Sequence, residues 1–374
     1  MKTKLAIDKN DPMPLYLQVK QVLEDRIRYG HYPLGTRLPG ERELAEELQL
    51  SPMTVGKAVM ALADSGRVYR QRGKGTFVKD LRFVASSRAV NIGLVVNIPA
   101  SLAMKDFYLG DLFQGIHRAI ADTSNRTATY MVTSDLESRL VDTDMDGFIF
   151  IGVPDRFVPA IQRLSDAGKR VLTLGAKWEN SKVPFVDSDN HAGAQMAVEH
   201  LIGLGHRQIA GVFAQQSVSN TIDRIAGFRA TMQAHGLPVS PDALIVDDHV
   251  MSAERTACSL SSEGLTQLKT LLQGARRPTA IFCGGYYIAL DVMQAIADLG
   301  LSIPQDVSVV GFDDPVSAAH LMPALTTIRQ PLDLMASNVI AMLMEWLQSG
   351  IEPHKGELIP TTLIVRDSTA QLKD

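Results

Sequence analysis

At 374 residues, 45% of them hydrophobic, the chain is long enough for two or three domains with large cores, which excludes disorder and fibrous repeats. Its net charge of -4 is unevenly spread: residues 1–80 hold 14 Lys and Arg against 10 Asp and Glu (+4), and the rest holds 23 against 31 (-8), so the two parts are built for different partners. Two cysteines without metal or redox spacing, Cys258 and Cys283, fit a reduced cytoplasmic interior, and neither an export signal nor an apolar run of membrane-helix length is seen.

Leu15, Val19, Val22, Leu23 and Ile27 recur at helical spacing and predict a first helix ending at Tyr29-Gly30. Leu38-Pro39-Gly40 then leads into Glu41-Arg42-Glu43-Leu44-Ala45, whose carboxylates suit the first turn of a short helix to about Leu48. Gln49 and Leu50 turn the chain. Ser51 is a good N-cap with Pro52 at the first helical position, and Val55, Ala58, Val59 and Leu62 give a further helix one apolar face up to Gly66. Val68–Gln71 and Thr76–Val78 alternate like strands around the turn Arg72-Gly73-Lys74-Gly75. Helix, turn, helix and basic wing is the expected order.

From Ser65 to Lys79 there are five cations (Arg67, Arg70, Arg72, Lys74, Lys79) and no acid, which makes phosphate the natural partner. A helix beginning Ser51, Met53, Thr54, Lys57 offers backbone amides to phosphate and short side chains to base edges in a major groove. These residues, with Pro14-Leu15-Tyr16 before them and Gly73-Lys74-Gly75-Thr76-Phe77-Val78 after, resemble the winged helix-turn-helix (α+β) of the GntR family of bacterial transcription regulators. The resemblance implies that Arg42, the helix start (Ser51, Met53, Thr54, Lys57) and the wing tip (Arg72, Gly73, Lys74) touch double-stranded operator DNA. Two departures stand out. Where family members often carry a guanine-reading Arg, this chain has Pro52 and Gly56, so Lys57, Thr54 or Met53 carries the readout, and Gly40 replaces a common Ser cap. A balance of +4 is modest for a DNA reader and points to a homodimer on a two-part site.

Residues 81–90 are short, polar and without periodicity, and are read as a linker between a DNA-binding domain (1–80) and a second domain (91–374). From Asn91 the texture changes. Apolar runs (Ile92–Val96, Gly147–Ile151, Arg170–Leu174, Gln208–Phe213, Thr279–Cys283, Val307–Phe312) alternate with helical patterns (Gly115–Ile120, Gly193–Leu204, Arg224–His235), as in a parallel α/β sheet with crossover helices. Ligands in such sheets sit beyond the carboxyl ends of strands, which marks Asn97–Asp111, Gly175–Trp178, Gly284–Ile288 and Phe312–Pro315.

Six blocks, among them Val186-Asp187-Ser188-Asp189-Asn190, Arg224-Ile225-Ala226-Gly227-Phe228 and Val309-Val310-Gly311-Phe312-Asp313-Asp314, are similar to the effector domain of the LacI/GalR family. That resemblance implies a two-lobed, periplasmic-binding-protein-like α/β fold (lobe 1 about 91–187 and 330–356, lobe 2 about 188–329 and 357–374) with a sugar or sugar derivative between the lobes. The combined arrangement resembles arabinose-repressor-type regulators. By the resemblance Arg224 and Asp313 hold effector hydroxyls, Gln330 contributes at a crossover, and Asp106 lies near a polar contact, while Asp314 is structural. Gly285-Tyr286 replaces a usual Asn-Asp, so Tyr286, Trp178 and Tyr108 become candidates for stacking on a ring or donating one hydrogen bond, with plain packing as the alternative. His200 and His206 read as capping or surface groups. No metal-ligand set, phosphate loop, dinucleotide fingerprint or nucleophile elbow is visible, so no metal, cofactor or catalytic residue is expected. The expectation is a DNA-binding repressor of carbohydrate-metabolism genes. A carbohydrate-processing enzyme and a non-regulatory sugar-binding protein on the same fold are the alternatives.

Overall fold

The computed structural model describes residues 7, 14–28, 31–32, 35–64, 68–71, 74–78, 89–96, 106–121, 125–131, 140–178, 181–214, 218–247, 259–353 and 356–372. The chain divides into two compact units, one formed by residues 1–89 with 120–124 and the other by the remainder. The expected linker falls, but for Ala89 and Val90, outside the described residues, as do Cys258, Arg72 and Gly73.

In the first unit, helices α1 (Leu15–Arg28), α2 (Glu41–Leu48) and α3 (Pro52–Asp64) precede a hairpin of β1 (Val68–Gln71) and β2 (Gly75–Val78). The periodic apolar residues do what their spacing predicts: Val19, Leu23, Leu44, Val55, Ala58, Val59 and Leu62 meet in one buried core with Leu38, Val68 and Val78. Gly40 caps α2 without a side chain, and Glu43 accepts its N–H at 3.3 Å. Gln49, at φ 53°, turns the chain out of α2. Ser51 Oγ then accepts the Thr54 N–H at 3.2 Å and opens α3. Arg37 bridges to Phe77 as a third short edge of the wing.

The second unit holds two six-stranded sheets. The first runs β13 (Glu357–Ile359), β7 (Phe185–Ser188), β6 (Arg170–Leu174), β5 (Gly147–Ile151), β3 (Asn91–Val96), β4 (Arg126–Met131), all parallel. The second runs β14 (Thr362–Ile364), β12 (Thr326–Arg329), β11 (Ser308–Phe312), β10 (Ala280–Cys283), β8 (Ile209–Ala214), β9 (Leu244–Asp247), parallel except for β14. Their continuous apolar runs follow from helices covering both faces. On β10, Phe282 packs toward α6 (Asn190–Gly203) and α7 (Ser219–Ala234), and Ile281 and Cys283 pack toward α8 (Ser262–Gln273) and α9 (Tyr286–Asp298), the period-two alternation of a strand. In the first lobe, α5 (Val158–Asp166) shares a core with β6 through Ile161, Leu164 and Val171, and α4 (Phe107–Ile120) and α10 (Leu332–Ser349) approach so closely that a Cβ on Gly115 would come 2.7 Å from Ala336 Cβ.

Two expectations need correcting. Strand β13 pairs with β7, so residues 357–359 belong to the first lobe and the third crossover falls at Pro360-Thr361. His206 is no surface group: it is buried, with Nδ1 2.9 Å from Thr279 Oγ1 and Nε2 3.1 Å from the Ala370 carbonyl, where it pins the C-terminal segment. Among the described residues no helix is long and apolar enough to cross a membrane.

Candidate functional site

The carboxyl ends of β5, β8, β10 and β11 and the start of α4 face one another across a cavity of about 160 Å³ between the lobes. Arg224, Asp313, Gln330, Tyr286, Tyr108 and Asp106 all line it. Trp178 does not. Gly175, at φ +68°, turns the chain away after β6, and Trp178 packs instead against the apolar core of the first lobe beside a separate surface hollow.

Arg224 is 5% exposed, and its fork is fully oriented. Nε donates to Asn190 Oδ1 at 2.8 Å and Nη1 to the Gly284 carbonyl at 2.7 Å, the guanidinium lies 3.7 Å over the Phe312 ring, and Nη2 reaches to 3.9 Å from Asp313 Oδ1. Asp313 follows β11 with φ 74°, a left-handed conformation costing on the order of 1 kcal/mol in a non-glycine residue, and Thr327 Oγ1 secures it by donating to its carbonyl at 2.6 Å. Gln330 Nε2 donates to Asp313 Oδ1, and Ser188 Oγ donates to Gln330 Oε1. Behind them Asp187 Oδ1 accepts the Ser188 N–H at 2.7 Å and the Asn190 amide at 3.3 Å, which fixes the amide's orientation toward Arg224. The polar groups thus close a ring, Asp187–Asn190–Arg224–Asp313–Gln330–Ser188, that ties two interlobe crossovers to the cavity wall.

The electrostatics follow from burial. Asp187 is enclosed with Oδ2 unpartnered, and the loss of hydration pushes its carboxyl up to about 7 against the opposing pull of the Ser188 N–H and Arg224. Asp106 is raised by its own burial, and the facing charge of Asp313 adds to this against the Leu109 N–H, which it accepts at 3.0 Å as a helix cap. Burial likewise raises the Tyr108 hydroxyl, helped by Asp187 and Asp313. Tyr286 gives its hydroxyl to Ser317 Oγ at 2.8 Å and sets its ring edge-on to Phe107, so it serves as wall rather than donor. Asp314 faces elsewhere, buried between Arg329 (2.6 Å) and Arg366 (2.7 Å), and forms no carboxylate pair with Asp313.

Sequence reasoning missed Asn220 and Thr221 in the lining, and it marked the segments that hold Phe107 and Tyr287 without singling out those two residues. The strand-end rule reaches Ala214 at the end of β8, but the helix start five residues further on carries no local signal.

On the first unit, Arg42, Ser51, Met53, Lys57 and Lys74 are exposed and Thr54 is half-buried. The wing is less cationic than its sequence reads, because Arg70 Nη2 lies 2.6 Å from Glu41 Oε1, an acid contributed from α2. Arg37, which the sequence did not single out, lies beside the wing: a Cβ on Gly75 would come 2.7 Å from its Nε.

Residues 15–78 match the profile of bacterial regulatory proteins of the gntR family, and residues 198–369 that of the periplasmic binding protein-like domain. The chain is 27% identical to the arabinose metabolism transcriptional repressor of Geobacillus stearothermophilus, over 97% of this chain and all of that one. It is 31% identical to the HTH-type transcriptional repressor PurR of Salmonella paratyphi B, over 52% of this chain and 54% of that one. Its fold is shared with the transcriptional regulator CelR in complex with cellobiose (23% identity, 86% and 92% coverage, TM-score 0.67). It is also shared with a LacI family transcriptional regulator from Enterococcus faecium with bound ribose (26% identity, 76% and 100% coverage, TM-score 0.63). The chain is a DNA-binding transcription regulator of composite build. Its reading head matches the gntR profile, and the domain joined to it matches the periplasmic binding protein-like profile and shares its fold with LacI family regulators.

Proposed function

We propose that the chain is a homodimeric, cytoplasmic repressor of carbohydrate-metabolism genes, whose hold on double-stranded operator DNA is set by a sugar or sugar derivative in the interlobe cavity. In this reading residues 1–80 bind DNA, 81–90 link, and 91–374 bind the effector and the second protomer, without catalysis. The observation that carries it is the convergence of Arg224, Asp313 and Gln330 on a cavity of about 160 Å³, smaller than the roughly 300–1,000 Å³ of sites for larger ligands and suited to a single small polar ring. Phe107 and Tyr287 offer aromatic surface beside these polar groups.

An effector bridging Asp106 and Tyr108 on one lobe to Arg224 and Asp313 on the other holds the lobes in one orientation. Operator and effector affinities are then coupled reciprocally, by about 1–3 kcal/mol in typical cases. Val316 and Met322, 82% and 96% exposed after β11, supply apolar surface for the second protomer.

The test is a thermal-shift screen against pentoses, hexoses, sugar acids, polyols and nucleosides, followed by operator-binding titrations with each stabilising compound. One class should raise the melting temperature and change DNA affinity. The variant Asp313→Ala should keep DNA binding and lose that response; an undiminished response in the variant would sink the assignment of the cavity.

A further inference from the structure

The first two turns of α3 have few groups left with which to read a base. Pro52 has no donor, Val55 is fully buried, and the Ser51 and Thr54 hydroxyls are 2.8 Å apart and bonded to each other, with Ser51 also holding the Thr54 N–H. Gly56 has no side chain, and there is no room for one without moving the wing's ion pair: a Cβ there would come 2.9 Å from Glu41 Oε2, whose partner oxygen holds Arg70. What stands free on the face opposite the core is Met53 (74% exposed), Lys57, and Met60 (52% exposed), at i, i+4 and i+7. A stripe of two thioethers around one ammonium is poorly matched to phosphate, and the apolar feature of a major groove is the 5-methyl of thymine.

We propose that Met53 is a specificity-determining residue, which packs on a thymine methyl in the major groove while Lys57 supplies the adjoining hydrogen bond to a guanine edge. This rests on the reading of α3 as the DNA-reading helix. The operator of this chain carries a thymine whose methyl is covered by Met53, one in each half-site of a dimer.

The 374-residue protein is used to select duplexes from a random pool, and in the selected site each thymidine is replaced singly by deoxyuridine, which removes one methyl and leaves pairing intact. Replacement at one position per half-site should weaken binding roughly fourfold, the effect of one buried CH₂ group, and other positions should be indifferent. Met53→Ala should abolish that sensitivity, Met53→Leu should keep it, and both should melt as the parent does, since the side chain lies outside the core. Tight binding with no uracil-sensitive position, or equal sensitivity in Met53→Ala, overturns the proposal while leaving DNA binding standing. Recovery of no duplex by the parent protein overturns the DNA-reading assignment itself.

Discussion

The molecule uses arginine in two contrasting ways. Arg70 meets Glu41 with both side chains about half in solvent, whereas Arg224 is enclosed and shares its partners with every other member of a ring. An exposed pair gains little in high dielectric and is released at little cost, so the wing can exchange Glu41 for phosphate. A buried guanidinium is committed: remove it and a carboxylate, an amide and a carbonyl lose their partner together. The reading surface is therefore a set of separable contacts, and the cavity wall responds as one body, which is the property a switch requires.

The largest expected effect is that of Arg224→Ala. It takes the guanidinium from beside Asp313, which still faces Asp106, and should cost about 3–5 kcal/mol of stability together with the effector response. Urea unfolding measures the first and operator titration the second. A loss below about 1 kcal/mol would mean that the ring members act independently, and the contrast with Arg70 would fall.

Asp187 sharpens the same contrast through pH. Its folded carboxyl titrates near 7 and its unfolded one near the ordinary value of about 4, so the folded state binds the extra proton between these limits. Stability should fall as pH rises from about 4 to 7 and level off above. In Asp187→Asn this dependence is removed, and the difference between the two proteins' urea midpoints at pH 5, 6, 7 and 8 isolates it. A difference that does not vary with pH would show that the carboxyl ionises freely in the fold.

These effects locate what the sequence made legible. Strands β5, β8, β10 and β11 are continuous apolar runs because both faces of each sheet are covered, and a continuous run is a local signal. Arg224, Asp313 and Gln330 lie in blocks whose order survives in a single chain. Trp178 misled because an aromatic after a strand end carries no sign of the direction of the next turn, which Gly175 sets through its positive φ. The burial of His206 depends on Thr279 and Ala370, and the neutralisation of Arg70 on Glu41, 29 residues earlier. Such pairings exist only after folding. The ring around Asp187 was hidden for the same reason: Asn190 and Gln330 are 140 residues apart and meet through Ser188.

The smallest effect tests the exposed side. Glu41→Gln removes the acid beside Arg70 and should change stability by less than about 1 kcal/mol, because both partners are already hydrated. Its consequence for DNA is larger than that for folding. Freed from Glu41, Arg70 becomes available to a phosphate, so affinity should rise for all duplexes alike, and the slope of log affinity against log salt should steepen by about 0.9 per added contact. Lys74→Ala should do the reverse, lowering affinity evenly and flattening the slope by a similar amount. Salt titrations of the two variants side by side decide the matter, since opposite shifts from the parent place both cations on the backbone-facing side of the wing. A Glu41→Gln slope equal to the parent's would mean that Arg70 already exchanges freely between carboxylate and phosphate, and that the ion pair sets the wing's position and not its charge.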